Sequence, residues 1–214
     1  MNTETHSNTC NRRRPFIKVC GQTYTGSVDC AAAYGADYIG FNFCTGNPNY
    51  VSPEHVAGMR SAHVKRVGVF SQQGAAEICR IMNAAGLHLA QLQGGQTRED
   101  AARIGPERII RTLRVDPGSS LQSVQAEIDH WGTHCRAFLV ESDNAALLQR
   151  LVFPRPWILS DSVGEAKLQE LLQHCRPDGV NLERSVEKAP GIMFSRRLLS
   201  SMVAVAAPYS FSAA

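Results

Sequence analysis

Residues 16–23 read Phe-Ile-Lys-Val-Cys-Gly-Gln-Thr, the pattern of a thiol carried at the end of a strand. Strand side chains alternate between faces, so Lys18 and Cys20 share one side of this run. A cation below a cysteine favours the thiolate, the form that acts as base or nucleophile. Phe138-Leu139-Val140 runs in the same way into Glu141, a carboxylate able to exchange a proton. Asp143, two residues on, falls in the following loop. If two strands bring Cys20 and Glu141 to one mouth, they form a pair for acid–base or nucleophilic chemistry. Lys18 and Arg111 read as charges that point into the same interior.

The elements that would position these groups alternate along the chain. Short β-branched runs at 16–20, 38–43, 65–70, 88–92, 108–115, 136–141, 156–160 and 179–182 read as strands. Amphipathic stretches near 24–34, 52–62, 74–86, 97–104, 119–131, 144–150, 164–175 and 194–206 read as helices. Ser52-Pro53-Glu54 is a helix start, with serine as the cap and proline at the first helical position. Eight strand–helix units predict an α/β fold, a parallel (β/α)8 barrel whose chemistry sits at the C-terminal ends of the strands. No glycine-rich first turn of the dinucleotide type occurs, so no cofactor is expected.

At 214 residues the chain can bury one large core. The expected organisation is a disordered leader over 1–14, a single barrel domain over 15–207 and a frayed end over 208–214. The formal charge of +3 is dispersed, and Asn11-Arg12-Arg13-Arg14 is the one basic cluster, so no nucleic-acid partner is expected. Neither a secretory apolar core nor a bilayer-length apolar run is present, which predicts a cytoplasmic protein with no membrane partner. Seven scattered cysteines without a Cys-x-x-Cys pair fit a reducing compartment. His130, His134 and Cys135 have helical spacing but no partner carboxylate nearby, so no metal site is expected.

Six segments then occur in a telling order: Lys18-Val19-Cys20-Gly21-Gln22-Thr23, Gly35-Ala36-Asp37 with Gly40-Phe41-Asn42-Phe43, Pro48-Asn49-Tyr50-Val51-Ser52-Pro53, Lys65 to Phe70, Gln91-Leu92-Gln93-Gly94, and Val186 to Gly191. Together they resemble the phosphoribosylanthranilate isomerase family of tryptophan biosynthesis, from about residue 15 to 206. The resemblance implies a (β/α)8 barrel that performs an Amadori rearrangement on a phosphorylated ribosyl amine. It implies Cys20 as general base and Glu141 at the position of a general-acid aspartate. Substrate contacts are expected at Lys18, Asn42, Asn49, Gln93, Arg111, Asp161, Glu183 and Arg184.

The chain departs from the family pattern at several of these positions. Glutamate replaces aspartate at 141, which moves the carboxylate by about 1.3–1.5 Å. Asn49 stands where the family has an arginine for the anthranilate, and Gln93 where it has a histidine. Asp161-Ser162 replaces a Gly-Gly pair, and Glu183-Arg184-Ser185 replaces Ser-Ser-Gly, in segments that hold the phosphate. Residues 143–156 contain no glycine and make a short connection in place of a long covering loop. Two carboxylates near a phosphate repel it. The expectation drawn from these departures is an enzyme acting on a small, non-phosphorylated substrate in a specialised natural-product pathway. The alternatives are a genuine phosphoribosylanthranilate isomerase with a rebuilt phosphate site, and an inactive binding or scaffold barrel. A monomer or homodimer is expected in each case.

Overall fold

The computed structural model describes residues 14–59, 64–163, 165–183, 185–189, 192–193 and 195–206. The expected leader over 1–14, apart from Arg14, and the expected frayed end lie outside these residues.

Eight parallel strands close into a barrel: β1 (Phe16–Val19), β2 (Tyr38–Asn42), β3 (Lys65–Phe70), β4 (Leu89–Leu92), β5 (Ile109–Arg114), β6 (Ala137–Glu141), β7 (Trp157–Ser160) and β8 (Gly179–Leu182). Pairing of β1 with β8, Lys18 opposite Asn181, completes the ring. The helices α1 (Thr25–Ala33), α2 (Pro53–Gly58), α3 (Ala75–Ala85), α4 (Arg98–Ile104), α5 (Leu121–Trp131), α6 (Ala145–Leu148), α7 (Glu165–Cys175) and α8 (Ser195–Ala206) each follow a strand. One feature the sequence did not suggest is a small antiparallel ribbon, β9 (Glu187–Ala189) with β10 (Ile192–Met193), between β8 and α8.

Local signals explain the boundaries. Ser52 caps α2 by accepting the His55 N–H at 3.2 Å, with Pro53 opening the helix. Thr97 and Asp100 cap the start of α4 reciprocally. Gly86, with φ +63°, ends α3 in the left-handed conformation that glycine adopts freely.

Strand alternation sorts the side chains into two cores. Outward residues such as Ile17, Val19, Ile39, Phe41, Leu92 and Val180 pack with the helices. Inward residues Val67, Leu89, Ile110, Ala137, Leu139 and Ile158 fill the lower barrel, with Phe16 and Tyr38 against them. The barrel is therefore a packed solid below and polar above. None of the helices among the described residues is long and apolar enough to cross a membrane.

Candidate active site

The upper ends of the strands surround a cavity of about 360 Å³. Cys20 after β1, Asn42 on β2, Gln91 and Gln93 at β4, Arg114 on β5, Glu141 on β6, Ser160 and Asp161 at β7, and Asn181 and Glu183 at β8 line it. A cavity of about 560 Å³ opens at the opposite end, lined by Phe16, Tyr38, Cys135 and Ile158 among others. The convergent polar groups lie at the upper mouth, and that is where the chemistry belongs. Strand parity delivers them: on β1, β4 and β8 the residues Lys18, Gln91 and Asn181 stand one inward step below Cys20, Gln93 and Glu183.

Cys20 and Lys18 form the floor on one side. Lys18 is fully buried, and its Nζ donates to Asn181 Oδ1 at 2.7 Å. Gly40 makes room for both: a Cβ there would stand 2.6 Å from Cys20 Sγ and 3.0 Å from Lys18 Nζ. Gly21, at φ +78°, turns the chain directly after the cysteine. Burial pushes the Cys20 thiol up to about 12, helped by the negative charge of Glu183. Lys18 and the Gly21 N–H act in the opposite direction but do not prevail. The expected thiolate is thus corrected: Cys20 is a thiol, because desolvation of the anion outweighs the neighbouring ammonium.

Glu141 stands across the mouth from Cys20. Its Oε2 accepts from Arg114 Nε at 3.0 Å, and its side chain is 29% exposed. Asp143 is exposed in the loop beyond and is not among the cavity residues. Asn42 is buried and holds the following loop through the Cys44 N–H at 2.8 Å. Gln93 reaches Cys44 Sγ at 3.7 Å from the same rim.

Of the expected contacts, Arg111 and Asn49 lie outside the cavity lining, and Asp161 lines it with its side chain already engaged. Arg111 faces outward, since Ile110 and not Arg111 is on the inner face of β5. Its guanidinium stacks 4.4 Å from the Trp131 ring, lies 3.6 Å from Glu127 and donates to Gly94 O at 2.9 Å. It braces α5 against the barrel and does not pair with Lys18. Asn49 stands outside the cavity lining, where its Nδ2 donates to Glu187 Oε1 at 2.8 Å behind Gly21. Asp161 lines the cavity yet is 1% exposed, and its Oδ2 accepts from the Glu183 N–H, the Ser185 N–H and Ser185 Oγ at 2.8, 3.0 and 2.6 Å. Arg184 lies outside the described residues.

The structure also adds residues that the motifs did not single out. Asn181, Gln91, Ser160 and Arg114 line the cavity, and the alternation of β8, β4, β7 and β5 was the signal for them. His130 packs edge-on against Trp131, and His134 contacts the Thr133 hydroxyl. Among the described residues no group of three ligating side chains converges on a metal position.

A family profile described as N-(5'phosphoribosyl)anthranilate (PRA) isomerase matches residues 17–145. An N-(5'-phosphoribosyl)anthranilate isomerase of Desulfovibrio desulfuricans is 36% identical over 201 residues, covering 89% of this chain and 95% of that protein. The crystal structure of the phosphoribosyl anthranilate isomerase of Thermus thermophilus superposes with a TM-score of 0.77 at 26% identity, covering 90% and 98% of the two chains. A phosphoribosyl anthranilate isomerase in complex with reduced 1-(o-carboxyphenylamino)-1-deoxyribulose 5-phosphate superposes with a TM-score of 0.78, over 90% and 99%. At 21% identity it speaks for the fold alone.

Near-complete coverage by isomerases at this identity overturns the expectation of a specialised enzyme with a non-phosphorylated substrate. The substitutions in the phosphate segments and at Asn49 are local, and they leave the likeness to an isomerase intact over 89% of the chain. The profile match across more than half the chain, with the relative from Desulfovibrio desulfuricans, places it: the chain is an isomerase-type barrel enzyme and belongs to the phosphoribosylanthranilate isomerase family.

Proposed function

We propose that the chain isomerises N-(5'-phosphoribosyl)anthranilate to 1-(o-carboxyphenylamino)-1-deoxyribulose 5-phosphate, a step of tryptophan biosynthesis. The observation that carries this reading is the presence of Cys20 and Glu141 on one cavity, brought there by β1 and β6. An Amadori rearrangement needs an acid and a base on the two sides of a sugar, and little else.

Glu141 donates a proton to the ring oxygen of the ribosyl amine. The C1–O bond breaks as the nitrogen lone pair forms a C=N bond. Cys20, as thiolate, then takes the proton from C2, and those electrons form an enol conjugated with the nitrogen. Transfer of the enol proton and protonation of C1 give the 2-ketone, so substrate and product are isomers. Amide side chains of Gln91 and Asn181 offer donors and acceptors to the sugar hydroxyls.

Cys20 must lose its own proton before it takes one from C2. Burial raises the thiol most and the Glu183 charge adds to it, while Lys18 lowers it, so a substrate that draws the Glu183 charge away favours the thiolate within the limit that burial sets. Arg114 holds Glu141 at the opposite rim through the 3.0 Å contact.

Growth of a strain lacking the isomerase, on medium without tryptophan, tests the reading. The gene restores growth under this proposal. Failure to do so at good expression of folded protein would sink it.

A further inference from the structure

One carboxylate at the mouth has an occupation unlike the others. Asp161 is almost completely buried, yet the ion pairs among the described residues do not include it. Its Oδ2 is held by three donors from the turn after β8: two backbone N–H groups, of Glu183 and Ser185, and the Ser185 hydroxyl. Backbone N–H groups that converge on one oxygen, here those of Glu183 and Ser185 two residues apart, form an anion-binding nest. The nest lies beside the reaction cavity, which both Asp161 and Glu183 line.

We infer that Asp161 is the resident anion of this nest, and that the phosphate of the substrate binds by taking its place. The inference rests on the proposed reaction, because it needs a substrate with a terminal phosphate. It goes further in naming a residue of this chain that sets how tightly that phosphate is held. The donors suit a phosphate oxygen for the reason they suit a carboxylate oxygen: each is a partial positive charge aimed at a single point. Among the described cavity residues Arg114 is the cation, and it is engaged with Glu141 at the β5–β6 side. The nest supplies positive potential on the β7–β8 side. While Asp161 fills it, an incoming dianion meets a filled site and the negative charges of Asp161 and Glu183. When Asp161 swings out, the same three donors become available.

The consequence is opposite to that of an ordinary binding residue, since removing Asp161 should strengthen anion binding. The test titrates inorganic phosphate into the purified full chain by calorimetry, for the natural protein, Asp161→Ala and Asp161→Asn. Steady-state KM and kcat are measured alongside. Asp161→Ala vacates the nest and is expected to tighten phosphate on the order of tenfold or more, with a matching fall in KM. Asp161→Asn keeps the shape, removes the charge and is expected to fall between the two. It carries the test if the alanine variant melts early. Phosphate affinity that is unchanged or weaker in a folded variant overturns the inference and makes Asp161 a brace for the β8 turn. Absence of turnover in all three proteins would count against the proposed reaction. The phosphate titration would still decide the role of Asp161.

Discussion

Gly40→Ala adds one methyl group at the most crowded point under the mouth. Its Cβ would stand 2.6 Å from Cys20 Sγ, 3.0 Å from Lys18 Nζ and 3.2 Å from Cys20 Cα. Relaxed contacts of this kind lie at roughly 3.5–4.0 Å, so the sulfur must retreat by about 1 Å. The strand backbone on the other side gives little, because β1 is hydrogen-bonded to both β2 and β8. A misplacement of ~1 Å in a reacting group reduces turnover on the order of a hundredfold. Overpacking of this size destabilises by about 1–3 kcal/mol, which leaves a folded protein to assay. The expected result in steady-state turnover is a kcat lower on the order of a hundredfold, with a much smaller change in KM. Gly58→Ala, where a Cβ meets nothing within 4 Å, is the matched control and should leave kcat unchanged. A folded Gly40→Ala enzyme with kcat within about threefold of the natural protein would refute the reasoning, since the position of Cys20 would then not govern the rate.

Other consequences follow from the same geometry. The Cys20 thiol ionises only towards about 12, so its alkylation by iodoacetamide should keep rising with pH beyond 9, and Glu183→Gln should speed it at any fixed pH; a plateau near pH 9 contradicts this. The folded state binds the Cys20 proton more tightly than the unfolded state, so its contribution to stability is complete below 9.0 and is lost between 9.0 and about 12. Melting temperatures of the natural protein should therefore fall more steeply across that window than those of Cys20→Ser. Glu141→Gln, which keeps shape but cannot donate the acid proton, should lower kcat about 10²–10⁴-fold, whereas Glu141→Asp should retain measurable turnover. Arg111→Ala removes the Trp131 stack and the Gly94 hydrogen bond, so it should destabilise by about 1–2 kcal/mol in urea unfolding and leave KM nearly unchanged. A large rise in KM would return Arg111 to the substrate.

The barrel was legible because its signals are local and repeat eight times. The run at 65–70 coincides with β3, and the other strands fall within a residue of their expected ends. Cys20 and Glu141 were legible for the same reason, as polar residues that end apolar strand runs. Arg111 was misplaced because parity depends on register, and both of its neighbours, Ile110 and Thr112, are compatible with either face of a strand buried on both sides. The state of Cys20 was not legible: Lys18 is near in sequence, whereas Glu183 and the desolvating walls come from strands far along the chain. Asp161 shows the same limit. Its type signalled repulsion of phosphate, but the three donors that hold it come from a turn 22–24 residues away. Asn49 read as a lost cation, and its partnership with Glu187 required the closed ring of strands.

The central claim is that Cys20 serves as the base of an isomerase acting on N-(5'-phosphoribosyl)anthranilate. Turnover of that compound by the purified chain, with Cys20→Ala beside it, tests this most directly. The account predicts conversion by the natural protein and a loss on the order of a thousandfold in the alanine variant, with the fold intact by circular dichroism. Absence of conversion by the folded natural protein, or comparable conversion by Cys20→Ala, would contradict it.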